Sequence, residues 1–203
     1  MRLYSYVVAR DYGFAPNPFY GTCTLATCKP MIRKMAQIDD WVVVTGSARR
    51  NRKGYLVFSM RVTAVVTYDQ YWSDSRFLAK RPNLVGSKKQ AFGDNIYHRE
   101  SDSETWLQEN SHHSYADGTV NLHNVENDTQ TPRVLVSDDY VYWGGVGPML
   151  PSRFQNYSGV DICAGHGYKV NFPEELVQEF VEWVGAQDKK GYVGDPLDWE
   201  RTP

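Results

Sequence analysis

Cysteine is scarce in this chain: there are three in 203 residues, an odd number. So few thiols cannot frame a disulfide scaffold, and they fit a reducing compartment, the cytoplasm. Long apolar runs are also missing. The richest stretch, 54–68, contains Arg61 and is followed by Asp69, short of the ~20 apolar residues that a membrane helix needs. The N-terminus enters a strand-like pattern without the basic flank, apolar stretch and cleavage site of a secretory leader, so none is expected. No internal repeat, low-complexity segment or regular β–α alternation is present, which disfavours a doubly wound sheet. Metal spacing is absent as well. Cys23 and Cys28 stand five apart with no second pair, and neither H-E-x-x-H nor H-x-E…C-x-x-C occurs. No metal is assigned, and the cofactor is unknown.

Aromatic residues are abundant: 14 Tyr, 8 Phe and 6 Trp. The net charge of −2 hides an asymmetry along the chain. Residues 1–91 hold 15 Lys/Arg and 5 Asp, whereas residues 92–203 hold 7 Lys/Arg and 19 Asp/Glu. A basic, aromatic half suits a phosphate-bearing partner. The alternative is that the two halves neutralise each other across one folded surface.

The patterning predicts one α+β domain over 1–186 and a polar, peripheral tail over 187–203. A strand is expected over 2–10, then a Gly/Pro-punctuated aromatic loop over 11–21. A short basic helix over 29–36 opens at Pro30, burying Met31, Met35 and Ile32 and exposing Arg33 and Lys34. Strands follow over 41–45 and, as one long element, 54–68. A short helix or turn is expected over 68–80. Residues 81–133 read as short strands and an ordered functional loop. Strands over 133–137 and 140–143 precede an amphipathic helix over 173–185, whose stripe is Leu176, Val177, Phe180, Val181 and Val184. The sheet should be mainly antiparallel, with a barrel as one way to close it.

Two motifs go further. Asp11, Gly13, Phe14, Ala15, Pro16, Asn17, Pro18 and Phe19 form a D-x-G-F-A-P-N-P-F block. Cys23, Thr24, Leu25, Ala26, Cys28, Lys29, Pro30, Ile32 and Arg33 form a C-T-L-A-x-C-K-P-x-I-R block. With NIYH at 95–98, Ser111–Ser114, His123 and VLVSDDYVYWGG at 134–145, residues 3–151 resemble the second nucleotide-modification-associated domain family. Asp39-Asp40 departs from the glycine usual before its second strand. The resemblance implies a place among systems that make, read or restrict modified bases, in bacteria and phages, but implies no settled reaction. A looser likeness to EVE, YTH and ASCH domains implies a PUA-like barrel by analogy of fold alone.

Cys28 lies beside Lys29 near the start of the short helix. That position favours a thiolate, but the preferred functional reading is a phosphate cradled with Lys29 and Arg33. The plainer reading is a small buried thiol. His98, within NIYH, could act as acid, base or base-edge partner, and His112 and His113 before Ser114 could act similarly. Most of these histidines would otherwise be solvated or packed. Asp11 opens the aromatic loop and could serve as a general base. Arg49, Arg50, Arg52 and Lys53 read as a solvated turn, a phosphate contact or the partner of an acidic tail.

The leading expectation is a module that binds a nucleotide or modified base, free or in DNA or RNA. Phe14, Asn17, Phe19, Thr24, Lys29, Arg33, Tyr97, His98, Ser137 and Tyr142 would contact it. The alternatives are a base-modifying transferase or hydrolase using Cys28, His98 and Asp11, and a protein-interaction domain. No membrane partner is expected, and a homodimer stays open.

Overall fold

The computed structural model describes residues 1–100 and 103–199. In chain order the strands and helices begin with β1 (Leu3–Val8), β2 (Cys23–Leu25), α1 (Pro30–Met35), β3 (Trp41–Gly46), β4 (Leu56–Arg61) and β5 (Ala64–Thr67). There follow α2 (Tyr68–Ser73), α3 (Lys88–Ala91), β6 (Tyr97–His98), β7 (Leu107–Gln108) and α4 (Leu122–Asp128). The last are β8 (Arg133–Ser137), β9 (Asp139–Tyr142), α5 (Ser152–Gln155), β10 (Tyr168–Lys169), α6 (Glu174–Gly185) and β11 (Gly191–Tyr192). They form two compact units. The first comprises Met1–Asp11, Ala36–Thr63 and Ser137–Pro203, and the second Tyr12–Met35 and Ala64–Val136. The second unit is thus two insertions into the first.

The first unit is a six-stranded sheet in the order β10-β1-β3-β4-β9-β11. The β1/β3 and β9/β11 pairs are parallel and the other three antiparallel. Parallel neighbours need a long connection, and the β1-to-β3 connection carries the first insertion. The order is open among the described residues, so the expected PUA-like barrel is corrected to an open sheet. One face packs on α6 through Leu176, Val177, Phe180 and Val184, against Leu3, Val43, Leu56 and Val141. Glu174 and Glu175 stand in the first turn of α6, where its positive end favours them.

Residues 54–68 do not form one strand. The chain breaks at Val62-Thr63, giving β4 to the six-stranded sheet and β5 to a second sheet, β2-β8-β5. The segment after 187 is not peripheral either. It supplies β11, and Asp198 is buried, accepting from the Asp11 N–H at 2.7 Å and pairing with Arg50. Arg50 therefore meets an acidic tail, one of the three roles open to that basic turn. Residues 101–102 and the last four of the expected tail lie outside the described residues. Gly144, at φ +54°, admits the chain's own Asp195 carbonyl where a Cβ would sit 2.1 Å from it. The backbone approach expected at Gly144-Gly145 is therefore internal.

In the second unit, α2 opens on a capping box between Thr67 and Gln70. Its core gathers Phe14, Ala26, Tyr68, Tyr71, Phe77, Ile96, Tyr97 and Val134. The aromatic loop is pinned from inside. Fully buried Lys80 donates to the Asn17 carbonyl (3.0 Å) and to Asn17 Oδ1 (2.7 Å). Thr24 and Tyr71 both donate to buried Asp94 at 2.7 Å. Burial pushes the Asp94 carboxyl up to about 6, against the opposing pull of the Lys80 charge and of its hydroxyl donors. Removing one member of a buried charged network leaves the rest uncompensated. Lys80→Met should therefore lower the unfolding free energy by about 3–5 kcal/mol in urea titrations. Exposed Lys34→Met should change it by less than about 0.5 kcal/mol.

Candidate functional site

The second unit brings together a cysteine, a histidine and an aspartate that stand far apart in sequence. Cys28 Sγ lies 3.5 Å from His113 Nε2, and His113 Nδ1 lies 2.9 Å from Asp128 Oδ2. The groups are linked in series, the order in which an imidazole can serve a nucleophile on one side and be oriented on the other.

Each member is held by its local structure. Cys28 ends the turn before α1, and both it and Lys29 adopt left-handed backbone, at φ +56° and +43°. Two consecutive non-glycine residues in that region store roughly 1–3 kcal/mol each. The neighbouring contacts must hold them there. Arg33 supplies one such contact: its Nε donates to the Cys28 carbonyl at 2.8 Å. Its other nitrogens donate to the Tyr68 hydroxyl (2.9 Å) and to the carbonyls of Thr131 (3.2 Å), Arg133 (2.9 Å) and Asp128 (2.6 Å).

His113 sits in a turn closed by two serines. Ser114 Oγ accepts from the Ser111 N–H at 3.1 Å, and Ser111 Oγ from the His113 N–H at 3.3 Å. The His113 carbonyl accepts from Asn124 of α4 at 2.8 Å. Asp128 is the last residue of α4, a helix capped by Asn121. Its carboxylate is fully buried and accepts four hydrogen bonds. Oδ1 takes the Cys28 N–H (2.7 Å) and Asn127 Nδ2 (3.2 Å), and Oδ2 takes the Tyr97 hydroxyl (3.0 Å) and His113 Nδ1 (2.9 Å).

Electrostatics follow from this cage. Burial alone would push the His113 pKa down. Hydrogen bonds to Asp128 and Cys28, with the electrostatic attraction of both groups, outweigh it and hold the ring protonated up to about 9. The ring also packs under Phe14, with centroids 4.6 Å apart. Beyond it lies an aromatic group: Tyr12 stacks on Phe92 at 5.1 Å, and exposed His112 meets Tyr12 at 4.9 Å and Phe14 and Phe92 at 5.2 Å.

Among the described residues, these three side chains are also a set whose donor atoms lie within 4.8 Å of one another, as a metal site requires. The hydrogen-bonding order argues against that use. Asp128 stands behind the ring, on the Nδ1 side, and both its oxygens are already occupied. A cation could share Sγ and Nε2 only without the carboxylate.

The structure gathers six of the sequence candidates at this place: Cys28, Lys29, Phe14, Tyr97, His112 and His113. Others it assigns elsewhere. Arg33 is the main correction. It is completely buried, not exposed, and its guanidinium is engaged by five protein acceptors, so it does not take phosphate. The anion held at the start of α1 is the carboxylate of Asp128 itself. Asn17 and Thr24 are buried in the Lys80 and Asp94 contacts. Phe19 is 2% exposed, with Lys89 Nζ 5.9 Å from its ring centre. His98 stacks on Trp72 at 3.9 Å and pairs with Glu109 at 2.9 Å, so it does not join Cys28. Asp11 and Tyr142 belong to the first unit, where the Tyr142 hydroxyl donates to the Asp11 carboxylate. Ser137 donates to the Asp139 carbonyl at 2.9 Å in the turn into β9. Asp128 had no motif to set it apart from other acidic residues, and His113 was one of five histidines. Only the Ser111–Ser114 frame marked the latter.

Comparison with known proteins adds one finding. The model of the family described as nucleotide modification associated domain 2 matches residues 1–203. No curated protein and no solved structure matches.

The raised His113 pKa carries a stability consequence. A histidine near 6.5 when unfolded and about 9 when folded stabilises fully below pH 6.5. That contribution fades as pH rises through 9. The urea midpoint should therefore fall between pH 6.5 and 9.5, and His113→Gln should flatten that fall.

Proposed function

The chain belongs to the nucleotide modification associated domain 2 family, and on that footing we propose that its second unit is a thiol-dependent catalyst acting on a nucleotide or nucleobase. The observation that carries this reading is the series Cys28 Sγ, His113 and Asp128, joined at 3.5 Å and 2.9 Å. A nucleophile, imidazole and carboxylate in series are recognised by geometry and role, not by sequence order.

Cys28 is the nucleophile. In the reacting form the His113 ring already carries the proton, and the Cys28 sulfur, as thiolate, attacks an electrophilic carbon, of acyl or amidine type, on the base or on a group being joined to it. A C–S bond forms, and the leaving group departs with the proton that His113 donates. Water or an acceptor hydroxyl or amine then displaces the sulfur, giving its own proton to His113. Asp128 fixes the ring and offsets its charge. Tyr97 and Arg33 are positioning residues: the first orients the Asp128 carboxylate, and the second ties the Cys28 and Asp128 backbones together.

The aromatic group of Tyr12, Phe14, Phe92 and His112 borders the reacting pair. A nucleobase stacked on such rings gains about 1–3 kcal/mol. Lys29, next to the nucleophile, brings positive charge suited to a phosphate. The substrate is accordingly a nucleotide or base, free or within a nucleic acid, and the setting is base modification or bacterial and phage defence. The recognition-module reading keeps the stacking surface but gives the Cys28–His113 pair no task.

Alkylation separates the two. With iodoacetamide at pH 7, Cys28 should react in the native protein, and about tenfold more slowly in His113→Gln. Cys23 and Cys163 are internal controls. Both are buried, burial pushes both thiols up, that of Cys163 to about 11, and neither should label. Equal Cys28 rates with and without His113 would remove the catalytic reading and leave recognition.

A further inference from the structure

Beside the aromatic group of Tyr12, Phe92 and His112 runs a surface that the proposed chemistry does not use. It joins two loops of the second unit. Asn17 Nδ2 donates to the Phe92 carbonyl at 2.9 Å. The Phe92 N–H donates to the Lys88 carbonyl at 3.1 Å, so Lys88, Lys89 and Phe92 share one turn. A capping box between Ser87 and Gln90 fixes where that turn starts. The two loops meet again at Phe19. Lys89 Nζ lies 5.9 Å from the centre of its ring, and the Tyr20 ring meets it edge-on at 6.3 Å. Phe19 is buried, but Tyr20 is 42% exposed. Tyr20 also stands in left-handed backbone, at φ +65°, a region that bulky residues seldom adopt. The turn thus keeps a large ring at the surface when the core is one residue away.

Charge along these loops has one sign. Residues 12–38 hold Lys29, Arg33 and Lys34 and no Asp or Glu, and residues 75–93 hold five Lys/Arg and again no Asp or Glu. Arg33 and Lys80 are buried among protein acceptors, and Arg76 pairs with Asp74. Lys88 and Lys89 are exposed. Beside Tyr20 the surface therefore presents cations next to an aromatic face, without local carboxylates to answer them.

An aromatic face stacks any base, and cations beside it follow the phosphates, which is how single strands are held without sequence preference. A free nucleotide on the Tyr12–Phe92 stack, with its phosphate at Lys29, gives Tyr20, Lys88 and Lys89 nothing to contact. A strand that continues past the reacting base does. One exposed ring with two lysines is also far smaller than the about 800 Å² per partner of a stable protein interface.

We propose that the substrate base is presented within single-stranded nucleic acid, and that Tyr20, Lys88 and Lys89 bind the nucleotides next to it. Tyr20 stacks a flanking base, and the two lysines meet the phosphates on either side of that base. This rests on the reading above only in seating the reacting base on the Tyr12–Phe92 stack.

The test is fluorescence anisotropy with full-length Cys28→Ala protein, so that binding is read without turnover. The probes are labelled single-stranded DNA and RNA of about ten mixed-sequence nucleotides, competed with the four mononucleotides. At least one strand should bind about tenfold or more tighter than any mononucleotide. Tyr20→Asn removes the ring and tolerates left-handed backbone. It should weaken strand binding about tenfold, whereas Tyr20→Phe should bind as the parent does. Lys88→Gln with Lys89→Gln should lower the slope of log affinity against log salt by roughly 1–1.5. A strand bound no tighter than a mononucleotide, or bound equally after both changes, would overturn the proposal. So would capture by phosphatidylserine vesicles without strand binding, which would assign the surface to lipid. Reactive Cys28 without strand binding removes this proposal alone, and strand binding with inert Cys28 removes the catalytic reading alone.

Discussion

Four hydrogen bonds converge on the buried carboxylate of Asp128, and the arrangement of the second unit depends on them. A carboxylate removed from water is tolerated only when its lone pairs are met and its charge is answered. The chain meets that demand from four places: the Cys28 backbone, Tyr97, His113 and Asn127. Satisfying Asp128 therefore fixes the positions of both Cys28 and His113. The same bonds that make burial tolerable set the 3.5 Å approach of Cys28 Sγ to His113 Nε2. Arg33 repeats the device with opposite charge, spanning the Cys28 and Asp128 carbonyls from a fully buried position. A strained turn at Cys28-Lys29 thus has two independent anchors.

The charge asymmetry along the chain takes on a different meaning once folded. The second unit contains 10 Lys/Arg and 10 Asp/Glu, and the first contains 12 and 14. Each unit draws from both halves of the sequence, so no unit is strongly basic. The cations near residue 50 illustrate this: Arg50 meets Asp198, and Arg52 lies over the Tyr55 ring at 4.0 Å. Affinity for a phosphate-bearing partner would have to come from local placement, as at Lys29, and not from a net field.

Elements with a strong local pattern were legible in the sequence. The apolar stripe of α6, the β-branched run at Trp41–Gly46 and the Pro30 start of α1 lie where periodicity and turn chemistry place them. What was not legible depends on partners distant in sequence. The run 54–68 is β-branched and apolar throughout, so nothing local marks the point where it leaves one sheet for another. Parallel pairing of β1 with β3 follows from where the insertion runs, which side-chain alternation does not record. Arg33 looked like a solvated helix cation because its acceptors at 128, 131 and 133 are about 100 residues away.

The candidate site divides in the same way. Cys28, Lys29, Phe14 and Tyr97 were marked by motif, residue type and position. Asp128 was not, because its role exists only in the fold. His98 drew attention through its segment, yet the neighbouring Tyr97 is the residue of that segment that reaches the site. Alternation along β6 sends adjacent side chains to opposite faces, so one of the two had to point away.

The most direct test of the account is a ¹⁵N NMR pH titration of the His113 ring nitrogens, assigned by His113→Gln. His113 should hold its proton up to about pH 9 in the native protein and lose it at markedly lower pH in Asp128→Asn. A His113 that titrates near the ordinary 6.5, and does so equally with and without the Asp128 carboxylate, would contradict it.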